Sequence, residues 1–256
     1  MRTRTKTKYL TGAAFISKKM SLKIAVLINC IANFLTKTKF VMYKYLLITF
    51  SILFMISCKK NNQTEIFPSV KIGSQVWSIK NLDVITYRNG DPIPQITDLS
   101  QWASATSGAW CYYNNDQSHN DTYGKLYNWY AVNDSRGLAP LGWHVPNDVE
   151  WTILIDYLGG VTIAGGKLKA TSPLWQTPNA NATDSSGFSG LPGGSRAVSG
   201  TFSSGIYSIG YNGYWWSSTD LYSSRTWGYN LSYDAAYTNK QLRSKPTGFS
   251  VRCVKD

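Results

Sequence analysis

Three observations predict an α+β domain with its helices early and irregular β structure late. No long amphipathic helix can be drawn beyond residue 160. Short aromatic phrases divided by Gly/Ser turns fill the chain from there on. The composition beyond residue 58 also suits a loop- and β-rich body: it holds all ten Trp and 14 of the 17 Tyr, with Glu65 and Glu150 as its only glutamates.

The N-terminal part reads separately. Ten of the 26 Lys/Arg precede Cys58, and none of the 14 Asp/Glu does. The formal charge of +12 therefore belongs mostly to this leader, and the body is nearly neutral. That argues against a nucleic-acid partner. Residues 42–57 read as a lipoprotein signal peptide: Lys44 supplies the positive start, Tyr45 to Ile56 a short apolar stretch, and Ser57-Cys58 the processing site. Cys58 is the expected lipid attachment residue, holding the body at the cell envelope, outer membrane or cell surface, of a bacterium. An uncleaved membrane anchor is the other reading, and it too places the body outside the cytoplasm. Residues 1–41 carry a second apolar stretch from Ile24 to Leu35. They read as an over-extended N-terminus with Met42 as the true start, or as one arm of a membrane hairpin. Residues 58–68 are a polar tether, and 69–256 are the domain, long enough for one sizeable core.

Within the domain, residues 70–80 alternate apolar and polar around Gly73-Ser74 and predict a hairpin. Asp98 to Ala103 reads as a short capped helix. Gly108 to Tyr113 reads as a strand, ending at the turn Asn114-Asn115-Asp116. Residues 123–132 place Leu126, Tyr127, Tyr130 and Ala131 at helical spacing on one face. Residues 142–151, GWHVPNDVEW, are a helix start. Pro146 stops a strand, Asn147 is an N-cap, and Glu150 completes a capping box. The helix from Asp148 to Leu158 is expected to bury Val149, Ile153, Leu154, Tyr157 and Leu158, and to end at Gly159-Gly160. Asp148 and Glu150 then suit the helix dipole, and His144 is a packed, hydrogen-bonded histidine. Later strands are read at 213–219, 226–233 and 248–254.

Exported chains can form disulfides. With Cys30 in the leader and Cys58 lipidated, Cys111 and Cys253 remain, as a disulfide or as two free buried thiols.

Five phrases together resemble the Fibrobacter succinogenes major paralogous domain. They are YGKLYNWYA at 123–131, GWHVPNDVEW at 142–151, GFSGLPGGSR at 187–196, YWWSST at 214–219 and GFSVRCV at 248–254. The resemblance implies an exported bacterial protein, often a lipoprotein, with no established activity. Leu138-Ala139-Pro140 departs from the pattern, since many members have a cysteine before the proline. More distantly, VPNDVEW, PGGSR and GFSVRC look like landmarks of the formylglycine-generating sulfatase-modifying enzymes. That implies a C-type-lectin-like fold: two short helices flanking small twisted antiparallel sheets, with a long loop-rich C-terminal half. The cysteines those enzymes use after the Gly-Gly-Ser landmark are absent, because none stands between Cys111 and Cys253.

The expected function is a non-catalytic recognition module for a carbohydrate or protein ligand. Tyr211, Tyr214, Trp215, Trp216, Tyr222 and Trp227 are its candidate ligand-binding residues, because aromatic faces stack on sugars and fill protein pockets. Alternation puts at least one of Trp215 and Trp216 in the core. No catalytic residues are assigned. A hydrolase needs a serine with His119 or His144 as base, and no Gly-x-Ser-x-Gly elbow follows a strong strand. Two histidines and no cysteine pair at zinc spacing make a poor metal site. Lectin-like folds often bind calcium, but Asp116, Asp121 and Asp184 lie in separate loops, so no cofactor is expected. A structural or assembly component of the envelope is the alternative.

Overall fold

The computed structural model describes residues 67–205 and 208–256, together with Leu27, Asn29, Ile31, Asn33 and Phe34. The chain divides into two units, Met1–Glu65 and Ile66–Asp256. In the first, the five described residues are helical and exposed. The signal peptide, Cys58 and nearly all of the tether lie outside the described residues. Among those described, no helix is long and apolar enough to cross a membrane.

In the second unit the chain opens with a hairpin, β1 (Ser69–Ile72) and β2 (Gln75–Ser78), with Ile72 opposite Gln75. Gly73 supplies the positive φ the two-residue turn requires. Helix α1 (Leu99–Ala103) is capped by the Asp98 carboxylate, which accepts from the Gln101 amide at 2.8 Å. Strand β3 (Trp110–Cys111) runs into the predicted turn, where Asn114 and Asn115 take left-handed conformations that asparagine tolerates.

The helix expected over 123–132 breaks into three pieces: α2 (Asn120–Tyr123), β4 (Leu126–Tyr127) and α3 (Trp129–Val132). Leu126 and Tyr127 are extended because they pair with β3, and Tyr127 exchanges two backbone hydrogen bonds with Phe249. Asn128 restarts the helix by accepting from the Ala131 amide. Tertiary pairing overrides the local period.

Strand β5 (Trp143–His144) precedes α4 (Asp148–Tyr157), and the reciprocal capping box is present: Glu150 N donates to Asn147 Oδ1 at 3.0 Å and Asn147 N to Glu150 Oε2 at 2.8 Å. Gly159 and Gly160 end it at positive φ. Its buried face is not the expected one. Trp151, Leu154, Ile155 and Leu158 point inward, while Val149, Ile153 and Tyr157 are exposed. Apolar residues surround most of this helix, and the face carrying the large Trp151 surface is the one buried.

A further helix, α5 (Val161–Leu168), follows the last one expected and carries a Gly165-Gly166 pair. The glycines are there for close approach. A Cβ at Gly165 would lie 2.4 Å from the Tyr237 carbonyl, and one at Gly166 2.4 Å from that of Asn181. With short helices α1 to α5 and small antiparallel sheets among its described residues, the unit is α+β, as predicted.

The later strands are β6 (Asn212–Trp216), β7 (Arg225–Ser232), β8 (Asn239–Ser244) and β9 (Val254–Lys255). Three antiparallel sheets result: β1-β2-β9-β5, β3-β4 and β6-β7-β8. Val254 of β9 faces Trp77 on one side and His144 on the other, so the two ends of the unit share a sheet.

Two main cores flank β6. Tyr214 and Trp216 enter one, with Trp129, Trp143 and Phe249. Trp215 enters the other, with Trp77, Trp151, Phe188 and Tyr229. A third cluster gathers around Trp102 and Cys111.

Buried cations tie these cores together. The Arg252 guanidinium donates to the carbonyls of Ser78 and Phe188 at 2.7 Å each, to Ser189 O at 3.1 Å and to Asn81 Oδ1 at 2.7 Å. The Phe188 ring lies 4.3 Å from it. Arg196 donates to the carbonyls of Ile96, Thr97, Asp98 and Gly200 and sits between the rings of Trp102 and Phe202. Both residues are fully buried. Replacing Arg252 by Met leaves three carbonyls without this donor, at about 1–3 kcal/mol each. We expect Arg252→Met to lower the urea unfolding midpoint by an amount equivalent to about 3 kcal/mol or more. Arg252→Lys should recover only part of the loss, since an ammonium cannot span the same fork. A Met variant within about 1 kcal/mol of the parent would contradict this role.

Candidate functional site

The β6-β7-β8 sheet decides which side chains meet. Its register sets Asn212 opposite Ser232, Tyr214 opposite Asn230, and Asn230 opposite Asn239, with Gly228 opposite Gln241 and Thr226 opposite Arg243. Strand alternation therefore puts Asn212, Tyr214, Asn230, Asn239, Gln241 and Arg243 on one face.

One end of that face is floored by aromatic rings. The Phe249 ring stacks on Tyr214 at 4.9 Å and 12° and lies 4.6 Å from Trp216. The other end opens into a cleft of about 460 Å³, walled by Tyr233, Asp234 and Tyr237 of the β7–β8 connection. Asn230 Nδ2 donates to Asn212 Oδ1 at 3.2 Å, and the Arg243 guanidinium donates to Gln241 Oε1.

The wall is held from behind. Lys169, at the end of α5, is fully buried, and its ammonium donates to the carbonyls of Ala180 (2.8 Å), Ser232 (2.9 Å) and Ala235 (2.8 Å). Burial pulls its pKa down to about 8, with the Asp234 carboxylate opposing. The Gly166 amide donates to Ala236 O at 2.9 Å, so α5 grips the same connection a second time.

The six aromatic residues expected to form the site do not gather. Tyr214, Trp215 and Trp216 are buried, because β6 has a core on each of its faces and no outer side at the two tryptophans. Tyr214 contributes only the cleft floor. Tyr211 is half-buried, edge-on to Tyr233 at 5.1 Å, beside the cleft. Trp227 lies on the opposite face of the sheet under the Lys240 ammonium, 4.3 Å from its ring, and Lys240 pairs with Asp148. Tyr222 is 57% exposed, in the β6–β7 connection. Reading the aromatics missed the amides of Asn230, Asn239 and Gln241, although period-2 alternation within 225–232 and 239–244 carries them.

Cys111 and Cys253 form no disulfide: both are free and buried, in different clusters. Burial pushes each thiol up to about 12, against the opposing charges of Arg196 at Cys111 and of Arg252 and Arg88 at Cys253. Among the described residues no group of three His, Cys, Asp or Glu side chains is placed to hold a metal ion. The Asp116 carboxylate accepts from the Ser118 amide, and that of Asp184 from the amide and hydroxyl of Ser189. Neither histidine is hydrogen-bonded to a serine, threonine or cysteine among these residues. The His119 ring packs edge-on against Tyr113 and Tyr123.

A family model, the Fibrobacter succinogenes major domain, matches residues 70–255. The chain belongs to this family. No curated protein and no solved structure matches it.

The match begins in β1 and ends in β9, so the Fibrobacter succinogenes major domain closes on itself through the β2–β9 pairing. Inside it, the phrase at 142–151 is architecture. Trp143 and Trp151 are buried in the two main cores. His144 bridges two carboxylates, with Nε2 2.6 Å from Glu150 Oε1 and Nδ1 2.7 Å from Asp256 Oδ1. It thereby joins β5, the cap of α4 and the residue after β9. Burial of the ring pulls its pKa down, but the two hydrogen bonds and the two carboxylate charges outweigh that, and the folded-state value is raised above 6.5. The protonated bridge therefore stabilises the major domain fully below the unfolded imidazole's pKa, and that contribution is lost as pH climbs through the raised folded value. Urea unfolding between about pH 6 and about pH 9 should show the parent losing stability relative to His144→Gln as pH rises. A pH-independent difference between the two proteins would remove the bridge from the account.

Proposed function

We propose that the chain is an exported, lipid-anchored bacterial surface protein whose major domain is a non-catalytic recognition module. The observation that carries this is the cleft itself: the amides of Asn230, Asn239 and Gln241 share one sheet face beside the rings of Tyr233 and Tyr237. A side-chain amide both donates and accepts, which matches the paired hydroxyls of a sugar ring. Tyrosine rings cover the apolar C–H face of the same sugar. The ligand favoured by this chemistry is a carbohydrate. Lys169 and the glycines of α5 support a pre-formed wall, which lowers the ordering cost of binding.

Three features support a C-type-lectin-like architecture: terminal strands paired in one sheet, the consecutive helices α4 and α5, and a second half of loops around a small antiparallel sheet. The apolar stretch before Cys58 supports the lipid anchor, and the polar residues after it suit a tether. An assembly role in the envelope has one observation of its own, the outward Val149, Ile153 and Tyr157 of α4 with Val161 and Ile163 of α5.

A glycan array with the full chain tests the binding role. The double variant Asn239→Ala/Gln241→Ala should lose about tenfold or more in affinity for whichever glycan binds, or about 1.4 kcal/mol. Tyr222→Ala and Trp227→Ala should leave it unchanged. Binding lost with Trp227 and kept without the amides would move the site to the opposite face of the sheet.

A further inference from the structure

Beyond Arg243 the sheet face continues into a second cleft, of about 520 Å³. Tyr214 and Arg243 line both clefts, so the two adjoin along one face. The second is chemically different. Arg225, Arg243, Ser195, Ser203, Ser244 and Thr247 line it, and no Asp or Glu does.

The two arginines stand apart from other cations of the domain. Lys240 pairs with Asp148, Lys245 with Asp220, and Arg136 with Asp91 and Asp134. Arg196 and Arg252 are saturated with carbonyls. Among the described residues neither Arg225 nor Arg243 has a carboxylate partner. They stand on adjacent rungs where the β7–β8 ladder ends, Arg225 opposite Ser244 and Arg243 opposite Thr226, so alternation sends them to opposite faces and both border the cleft at that end. Two guanidiniums without a carboxylate partner, bordering one cleft, give it a positive potential that an anion would satisfy. Arg243 is also oriented in advance: it lies over the rings of Tyr214 (5.6 Å) and Phe249 (5.9 Å) and is tied to Gln241. A guanidinium steadied in this way presents its remaining N–H groups as a fork, the geometry that recognises a carboxylate bidentately. The serine and threonine hydroxyls around it add donors without adding charge.

We infer that this second cleft is a carboxylate subsite, and that the ligand is an acidic polysaccharide. Its neutral hydroxyls lie along the amide cleft and a carboxylate substituent sits on the Arg243 guanidinium, within the field of Arg225 at the same cleft. The inference rests on the carbohydrate-binding reading and narrows it to uronic-acid-type sugars.

The test compares polygalacturonate with its fully methyl-esterified form, which keeps the ring hydroxyls and removes the charge. Isothermal titration with the full chain at low salt should show the acid form bound about tenfold tighter or more. The preference should shrink at about 0.5 M salt. The variant Arg225→Gln/Arg243→Gln should erase the preference while keeping the parent's circular dichroism and urea midpoint. Lys71→Gln, which removes an exposed charge from β1, should keep it. Equal binding of the two polymers would overturn the carboxylate subsite and leave the carbohydrate reading standing. A preference that survives in the double variant would overturn the subsite as well. Binding of neither polymer would overturn both.

Discussion

A buried carbonyl that no backbone amide reaches must find another donor, and in this domain three buried cations supply it. Lys169, Arg196 and Arg252 between them collect the carbonyls of ten residues, eight in loops and two, Ser78 and Ser232, at strand ends. None of the three forms an ion pair among the described residues. Each charge is solvated by oriented peptide dipoles and faced by an aromatic ring: Trp175 at Lys169, Trp102 and Phe202 at Arg196, Phe188 at Arg252. A guanidinium with five N–H groups is suited to this, because one side chain can knot several strands of irregular backbone. The abundance of aromatic residues and the scarcity of carboxylates then share a cause. Rings shield the knots from water, and a nearby carboxylate would compete with the carbonyls for the same protons.

The knots also place the clefts. Arg196 holds the loop from Gly194 to Gly200 that borders the second cleft, and Lys169 holds the wall of the first. Strand β6 passes between the two cores and is covered on both sides, so its aromatic residues act as a rigid floor. The polar side chains that face the first cleft fall mostly on β7 and β8, nearer the free edge, where one face is not filled by core residues. Rigid aromatic floor, carbonyl-knotted walls and polar strand residues are one construction, in which the irregular second half is as firmly held as the sheets.

What was legible in the sequence was local. The Gly73-Ser74 hairpin, the Asp98 cap, the Asn147–Glu150 capping box and the Gly159-Gly160 stop each depend on a few neighbouring residues and one backbone conformation. The rest depends on partners far along the chain. Leu126 and Tyr127 look helical until β3 and Phe249 pair with them. The buried side of α4 is ambiguous because both candidate faces are apolar, and only the position of Trp77 and Phe188 decides it. Helix α5 holds two glycines that local propensity disfavours, and the carbonyls that need their space belong to residues 181, 236 and 237. Arg196 and Arg252 stood inside recognisable phrases, but a bond from Arg252 to Ser78 spans 174 residues and leaves no local trace. Of the cleft, the tyrosines were partly visible and the amides were not, since polar residues in a strand normally mark only a solvated face.

The placement of Val254 between Trp77 and His144 has a consequence for folding. One of the two inner strands of the four-stranded sheet, β9, lies far along the chain from its neighbour β2. Until it arrives, the opening hairpin and β5 have no common neighbour, and Arg252 cannot reach the carbonyl of Ser78. Loop closure over this distance is the slow kind. The four-stranded sheet therefore closes only when the two ends of the domain meet, which makes its completion a single long-range event.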